Sequence, residues 1–456
     1  MKKIYSFTLF SIAVVGLLLS SCKKPLDVTP KDTIEQAQAL NTSKDVQAAL
    51  VGAYSDLGNA NFYGGGPFLM SDFLANTNAI VWTGTFEGLT QLINKAIINS
   101  NGFVEDVWLN GYKTINDVNN VISAVDKVDA ADQARVGGEA KFIRGSVYFD
   151  LVRVFGKAYN DGSPATNLGV PIVLTPTTAI TTASYVSRST VAAVYQQVIK
   201  DLTDAEASLP ESNGFFATKY TAAAMLARVY LQMGDYNNAL NAANRVIASG
   251  DYQLASTFAK AFPTVQTLGD PAQPGSNTVE DIFAMQVTNL TGVNNFNTYY
   301  ASSSYGGRGD ASIDPDWIDA TYETGDARKD FFYDDGDLFT SKFADQYGNV
   351  AIIRLAEMYL IRAEANVRLS TAVGATPLED LAVIRGRAGL TTTSATLADI
   401  LLERTREFAF EGFSLNDAKR TQTNIGSVAW NSTALIFPIP QRELDANKNL
   451  VQNTGY

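Results

Sequence analysis

The chain contains no histidine. That removes the commonest general acid–base side chain and the commonest metal ligand. It contains one cysteine, Cys22, in 456 residues. Ser-His-Asp and Cys-His nucleophilic centres are therefore excluded, and so are zinc sites built on His or Cys. Neither a G-x-x-x-x-G-K-[ST] phosphate loop nor a G-x-G-x-x-G turn after a strand occurs. There is no basic block and the formal charge is −12, so nucleic acid is not an expected partner. After the N-terminus no apolar run approaches the length that spans a bilayer. An enzyme made from this chain would have to work with carboxylates or a Ser/Lys pair. No cofactor and no metal are expected.

What is present begins with MKKIYSFTLFSIAVVGLLLSSC. Lys2 and Lys3 lead a short apolar run from Phe7 to Leu19, with small residues directly before Cys22. This pattern is that of a secretion signal, residues 1–21. Leu19-Ser20-Ser21-Cys22 also resembles the bacterial lipobox, in which the cysteine is acylated and becomes the first residue. On this reading Cys22 is a lipid tether to a membrane, and several acyl chains meet the requirement for stable anchoring. Residues 22–42 read as a flexible lead, and residues 43–456 as the folded body.

Helical periodicity runs through much of that body. Ser43 is placed to cap a helix through Leu57, with Val46, Leu50, Ala53, Tyr54 and Leu57 on one face. Further helices are expected over 102–128, 134–155, 190–208 and 397–412. The clearest pattern is YTAAAMLARVYLQMGDYNNALNAANRVIASGDYQL, residues 220–254. Leu226, Ala227, Tyr230, Gly234, Tyr236, Ala239 and Ala243 follow tetratricopeptide spacing, with Gly234-Asp235 as the turn. A related pair is expected over 352–387. Residues 58–87 and 256–345 lack helical period and read as long irregular segments, which are common carriers of function.

Charged clusters favour structural readings. Glu403, Glu407 and Glu411 follow an i, i+4, i+8 spacing, with Arg404, Arg406, Lys419 and Arg420 nearby as cationic partners. An ion network fits them better than catalysis. Glu364 and Arg368 fit a simple helix pair. Asp334, Asp335 and Asp337 lack calcium-loop spacing and read as a solvated turn. Asp310, Asp314 and Asp316 read likewise. Two aromatic clusters in polar segments carry more. One holds Tyr63, Asp72, Asn76, Asn78 and Trp82; the other holds Phe296, Asn297, Tyr299, Tyr300, Tyr305 and Arg308. Ring faces stack on sugar rings while Asn, Asp and Arg satisfy hydroxyls. The competing reading is that these aromatics anchor loops to the helical body. Candidate ligand-binding residues are Trp82, Asp72, Asn76, Tyr299, Tyr300, Tyr305 and Arg308, with Trp82 and Tyr299 foremost.

Five segments together resemble the SusD/RagB family of Bacteroidetes outer-membrane lipoproteins. They are GGEAKFIRGSVYFDLVRVFGK (137–157), LGVPIVLTPTT (168–178), YTAAAMLARVYLQMGDY (220–236), ILLERTREFAFEG (400–412) and IFPIPQRELDANKNLVQNTGY (436–456). Gly145, Ser414, Asn416 and Thr454 depart from the family pattern. The resemblance implies an all-α fold, a core of tetratricopeptide-like helix pairs carrying an irregular, loop-rich lobe. It implies an outer-membrane protein, lipid-anchored and facing outside the cell. It implies no enzymatic activity, but capture of oligosaccharide or polysaccharide and delivery to a SusC-like TonB-dependent transporter. The same carrier role for peptides or another nutrient is an alternative. An extracellular glycosidase and a ligand-free assembly scaffold are others.

Overall fold

The structure is a computed structural model that describes residues 40–262, 277–288 and 294–456. Cys22, the signal segment and nearly all of the lead to residue 42 lie outside the described residues. Among the described residues no helix is long and apolar enough to cross a membrane.

The body is mostly helical. Eight helices pack in single file: α1 (Ser43–Leu57), α4 (Gly102–Ser123), α5 (Gln133–Phe155), α6 (Val191–Ser208), α7 (Lys219–Met233), α8 (Tyr236–Ser249), α11 (Leu355–Leu369) and α12 (Pro377–Arg387), each against the next. Side chains close the exposed N–H groups at their starts. Asn101, Thr190, Thr218, Asp235 and Thr376 all accept from backbone N–H groups of the first turn. The cap of α1 is Thr42, in a capping box with Asp45, and not Ser43. Ser43 instead accepts from the Asp129 N–H at 3.1 Å, fixing α1 to the chain after α4.

Helix pair α7–α8 is the expected tetratricopeptide unit. Ala223, Ala224 and Ala227 on α7, with Ala239, Ala242 and Ala243 on α8, are buried, so the backbones approach closely. Gly234 takes φ +76 at the end of α7, a conformation that favours glycine. The second pair, α11–α12, also forms. Its first residues do not belong to a helix, however: Val350–Arg354 make a strand, β6, paired antiparallel with β2 (Asp281–Met285).

Buried arginine–carboxylate pairs stitch the file together. Arg144 on α5 binds Asp201 on α6 at 2.7 and 2.8 Å and Asn119 on α4 at 2.9 Å. Arg228 on α7 binds Glu357 on α11 at 2.6 and 2.8 Å. Arg362 on α11 binds Asp380 on α12 at 2.6 and 2.9 Å. Glu364 is more than half of a simple helix pair. It meets Arg368 at 2.9 Å and is also held by Arg420 of α14 (Ser414–Thr421) at 2.6 Å.

The stretch 58–87 is not one long loop. It contains α2 (Gly66–Ala75), strand β1 (Ile80–Trp82) and the first residue of α3 (Glu87–Ile93). Nine of the ten residues of α2 are buried, so it has no polar face and shows no amphipathic period. Residues 294–349 form a lobe of short pieces: α9 (Asn295–Tyr300), β3 (Ala311–Ile313), α10 (Pro315–Thr321) and a hairpin of β4 (Phe332–Asp334) with β5 (Leu338–Thr340). The solvated turn expected at Asp334–Asp337 is the tip of that hairpin, where Gly336 takes φ +88. Asp314 caps α10.

Helix α13 (Leu397–Glu407) stops before Glu411, so the three glutamates do not share one helix face. The chain turns through Phe410 (φ +68) and Gly412 (φ +82). The glutamates still meet one ion network, with partners mostly from elsewhere in the chain. Arg328 binds Glu403 at 2.6 Å, Arg354 binds Glu407 at 3.0 Å and Glu411 at 2.9 Å, and Lys342 binds Glu411 at 2.6 Å. Arg387 binds both Glu280 and Glu407. Of the cations expected beside the glutamates, only Arg406 reaches one, Glu403 at 3.7 Å. Arg404 and Arg420 pair with Asp417, and Lys419 is buried with no hydrogen-bond partner among the described residues. Arg328 and Lys342 come from the lobe, so the network clamps the lobe to the helical file.

Candidate functional site

The two aromatic clusters, far apart in sequence, come together through one small sheet. Strand β1 pairs antiparallel with β3, with Trp82 opposite Ala311. The ladder continues as the Thr83 N–H donates to the Asp310 carbonyl at 2.9 Å. Trp82 on β1 thereby stands beside Tyr299 of α9, ring centroids 6.2 Å apart. Phe86, at the N-terminus of α3, meets Tyr299 edge-on at 6.2 Å and Phe103 of α4 edge-on at 5.7 Å. The Arg308 guanidinium lies 4.7 Å over the Phe86 ring. Trp82 is half-buried and Phe86 and Arg308 are exposed, but Tyr299, expected at the surface, is buried beneath them with 6% exposure. The result is an aromatic platform with one cation on it.

Local chemistry fixes each part. The Trp82 indole N–H donates to the Thr90 hydroxyl at 3.0 Å, and that hydroxyl donates to the Phe86 carbonyl at 3.1 Å. One threonine thus orients two platform residues. Gly84 lies so close to the indole that a Cβ there would collide with the ring. Behind the platform, Phe73 of α2 packs against Trp82 at 5.1 Å and edge-on against Tyr300 at 6.1 Å. Arg308 sits in a turn whose backbone donates to Thr298 and Ala301 carbonyls, and its Nε donates to Asp310 at 2.6 Å.

Several candidate residues do not reach this surface. Tyr300 is fully buried against Phe343 and Phe410, and Asp72 is buried beneath it, so both serve the core. The Asp72 carboxylate accepts the Gly412 N–H at 2.8 Å, and its other oxygen has no hydrogen-bond partner among the described residues. Burial pushes its pKa up to about 7 against the pull of that hydrogen bond. Asn76 spends its side chain on the turn into β1, accepting from Ala79 and Ile80 and donating to the Ile80 carbonyl. Tyr63 donates to Asp150 at 2.5 Å in the core. Phe296 stacks on Phe343 at 4.5 Å, and Asn297 donates to the carbonyls of Tyr305 and Phe343. Asn78 is exposed, with its amide oxygen held by Thr77. Tyr305 is half-buried, edge-on to Tyr333 at 4.8 Å and outside the aromatic contacts of the platform. For these residues the loop-anchor reading describes the packing.

Phe86, Phe103, Thr90 and Asp310 complete the platform and were not singled out for it by sequence. Phe86 closes the glycine- and aromatic-rich stretch that opens at residue 58, so a signal for it existed. Phe103 sits inside an ordinary helical pattern and offered none. A separate groove of about 440 Å³, with Trp108, Tyr112 and Ile180 in its walls, contains none of the candidate residues.

Comparison with known proteins places the chain. Residues 25–231 match the family described as starch-binding associating with outer membrane, and residues 335–433 match the SusD family. The chain is 25% identical to SusD-like protein P2 of Formosa agariphila, over 98% of this chain and 99% of that one. A SusD superfamily protein from Bacteroides thetaiotaomicron superposes with a TM-score of 0.78 at 26% identity, covering 90% of this chain and 99% of that one. A laminarin-binding SusD-like protein superposes with a TM-score of 0.74 at 22% identity, covering 91% and 100%. At that identity the likeness concerns the fold.

Proposed function

The chain belongs to the SusD/RagB family, and from that premise we propose that it is a non-catalytic carbohydrate-binding protein of the outer membrane. It captures oligosaccharide or polysaccharide outside the cell, held to the membrane through acylated Cys22, and passes it to a SusC-like TonB-dependent transporter. The observation that carries this reading is the meeting of Trp82 and Phe86 with Tyr299 and Arg308 in one partly exposed platform, brought together by the β1–β3 ladder. Apolar ring faces held in place lose little entropy on binding, which suits a site that must bind and then release. The laminarin bound by one relative of the same fold gives a first ligand to try.

The test is calorimetry of residues 23–456 against laminarin, pullulan and mannan, with Trp82→Ala and Phe86→Ala alongside. Binding to one glycan that falls about tenfold or more in both variants, with unfolding temperatures unchanged, supports the reading. The chain length of the bound glycan should stay constant over a day with purified protein. Shortening would point to a glycosidase. Binding untouched by either variant would move the site away from the platform.

A further inference from the structure

Resting on that reading, we infer that the platform is built for uncharged sugars and discriminates against uronates, through the Arg308–Asp310 pair. The pair lies at the edge of the platform. Arg308 Nε donates to Asp310 Oδ2 at 2.6 Å, and the guanidinium covers part of the Phe86 ring. The two terminal nitrogens of Arg308 make no hydrogen bond among the described residues, and the side chain is 44% exposed. They present N–H donors in a fixed plane beside the aromatic edge. The second carboxylate oxygen of Asp310 likewise makes no hydrogen bond among the described residues, and the Asp310 side chain is 13% exposed. Donors and an acceptor therefore stand side by side.

A sugar hydroxyl both donates and accepts, so it can take a proton from Arg308 and give one to Asp310. A carboxylate is acceptor-only. Bound to Arg308, it would lie against the Asp310 charge with nothing to donate. The cation that would attract it is already neutralised at hydrogen-bond distance. The other ionisable side chains near in sequence to the site elements include the acidic Glu87, Asp314 and Asp316, and the one cation Lys95, whose ammonium is taken up by the Asn76 carbonyl at 2.7 Å; the whole chain carries a formal −12. Both the short-range and the long-range field oppose a polyanion. The hydrogen-bonded backbone of the Arg308 turn and the β3 ladder beyond Asp310 hold the pair before any ligand arrives.

The experiment compares each neutral glycan of the panel above with the same polymer oxidised at C6 to the uronate. Calorimetry is run at low and high salt, on the wild type and on Asp310→Asn. The neutral form is expected to bind with an affinity that salt changes less than twofold, and its uronate form at least about fivefold more weakly, the repulsion of one charge at a few ångströms in water. Asp310→Asn keeps an acceptor and removes the charge. It should raise uronate affinity several-fold and so narrow the neutral-to-uronate affinity ratio, which is the quantity read, because Asp310 itself accepts from the sugar. A gain of binding cannot come from misfolding. Equal or tighter wild-type binding of the uronate overturns the inference, as does an unchanged preference in Asp310→Asn. Either result leaves glycan capture itself standing. Failure of every neutral and oxidised glycan to bind would overturn the capture reading, and the inference with it.

Discussion

Among single residues, the informative ones are those whose surroundings oppose their chemistry. Thr90 is small and sits on an ordinary helix, yet its hydroxyl links the Trp82 indole to the Phe86 carbonyl. Thr90→Val keeps the shape and leaves the indole N–H without its acceptor, a loss of about 1–3 kcal/mol where water cannot replace it. Glycan affinity should fall several-fold, and one of the indole N–H signals of the four tryptophans should shift in an NMR spectrum. Thr90→Ser should restore both; a packing role alone would leave the indole signal unmoved. Two buried ionisable groups have opposite pH signatures. Asp72 is pushed from 3.8 up to about 7 by burial. The folded protein therefore holds a proton that the unfolded chain has released, and stability from this group falls as pH rises from about 4 to 7. Lys419 has no hydrogen-bond partner among the described residues, and burial lowers it from 10.5 to about 7, against the attraction of Asp161. Here the unfolded chain binds the extra proton, so stability rises with pH between 7 and 10.5. Asp72→Asn should raise the melting temperature more at pH 8 than at pH 5. Lys419→Met should raise it more at pH 6 than at pH 10. Flat differences would mean that water reaches these groups.

At the level of elements, the helical file was legible because its signals are local. Caps at Asn101, Thr190, Thr218 and Thr376, a 3.6-residue period and Gly234 at a left-handed turn all act within a few residues. Helix α2 was hidden because GPFLMSDFLA is buried on nearly all sides, which erases the period. Strand β6 was hidden inside IIRLAEMYL because a short buried strand and the start of a buried helix look alike in apolar residues. The site was half legible. Residue type pointed to Trp82, Tyr299 and Arg308, but nothing in the sequence tells a Tyr that backs the platform from one in the core. Tyr300 follows Tyr299 directly and both are buried, but Tyr299 meets Trp82 and Phe86 while Tyr300 meets Phe343 and Phe410. The β1–β3 pairing is non-local and had no local signature at all. One element-scale prediction concerns the turn after α13. Gly412 takes φ +82, and a Cβ there would stand 2.5–2.6 Å from Phe68 Cβ and Cα, backbone that cannot step aside. Its N–H also binds Asp72. Gly412→Ala should destabilise by about 2 kcal/mol or more in urea unfolding. A loss below about 0.5 kcal/mol would show that the contact between α2 and the turn after α13 is slack.

The whole molecule divides its labour between a helical file and a lobe, and the ion network is where the two are joined. Glu407 meets Arg354 at 3.0 Å, Arg387 and, at 3.5 Å, Arg328. Burial alone would raise its pKa, but Arg387, Arg354, Arg328 and Lys342 around it outweigh burial and hold it well below its ordinary 4.5. A carboxyl depressed in this way contributes stability that is present above 4.5 and is lost as pH falls towards the folded value. The clamp should therefore outlast in acid the Arg362–Asp380 pair inside the file, whose carboxyl burial raises above its ordinary value. Glu407→Gln keeps the shape and leaves clustered cations short of one charge. Breaking a buried network in this way costs about 3–5 kcal/mol. The acid midpoint should move upward, and the melting temperature should drop by several degrees at pH 7. Glycan affinity at 15 °C should stay within about threefold, because β1, β3 and α3 are held by one another and by α2, α4, α9 and β5, and the ion pairs of the network do not include them. If affinity fell with stability instead, the platform would owe its geometry to the clamp, and opening the clamp would be a route to ligand release.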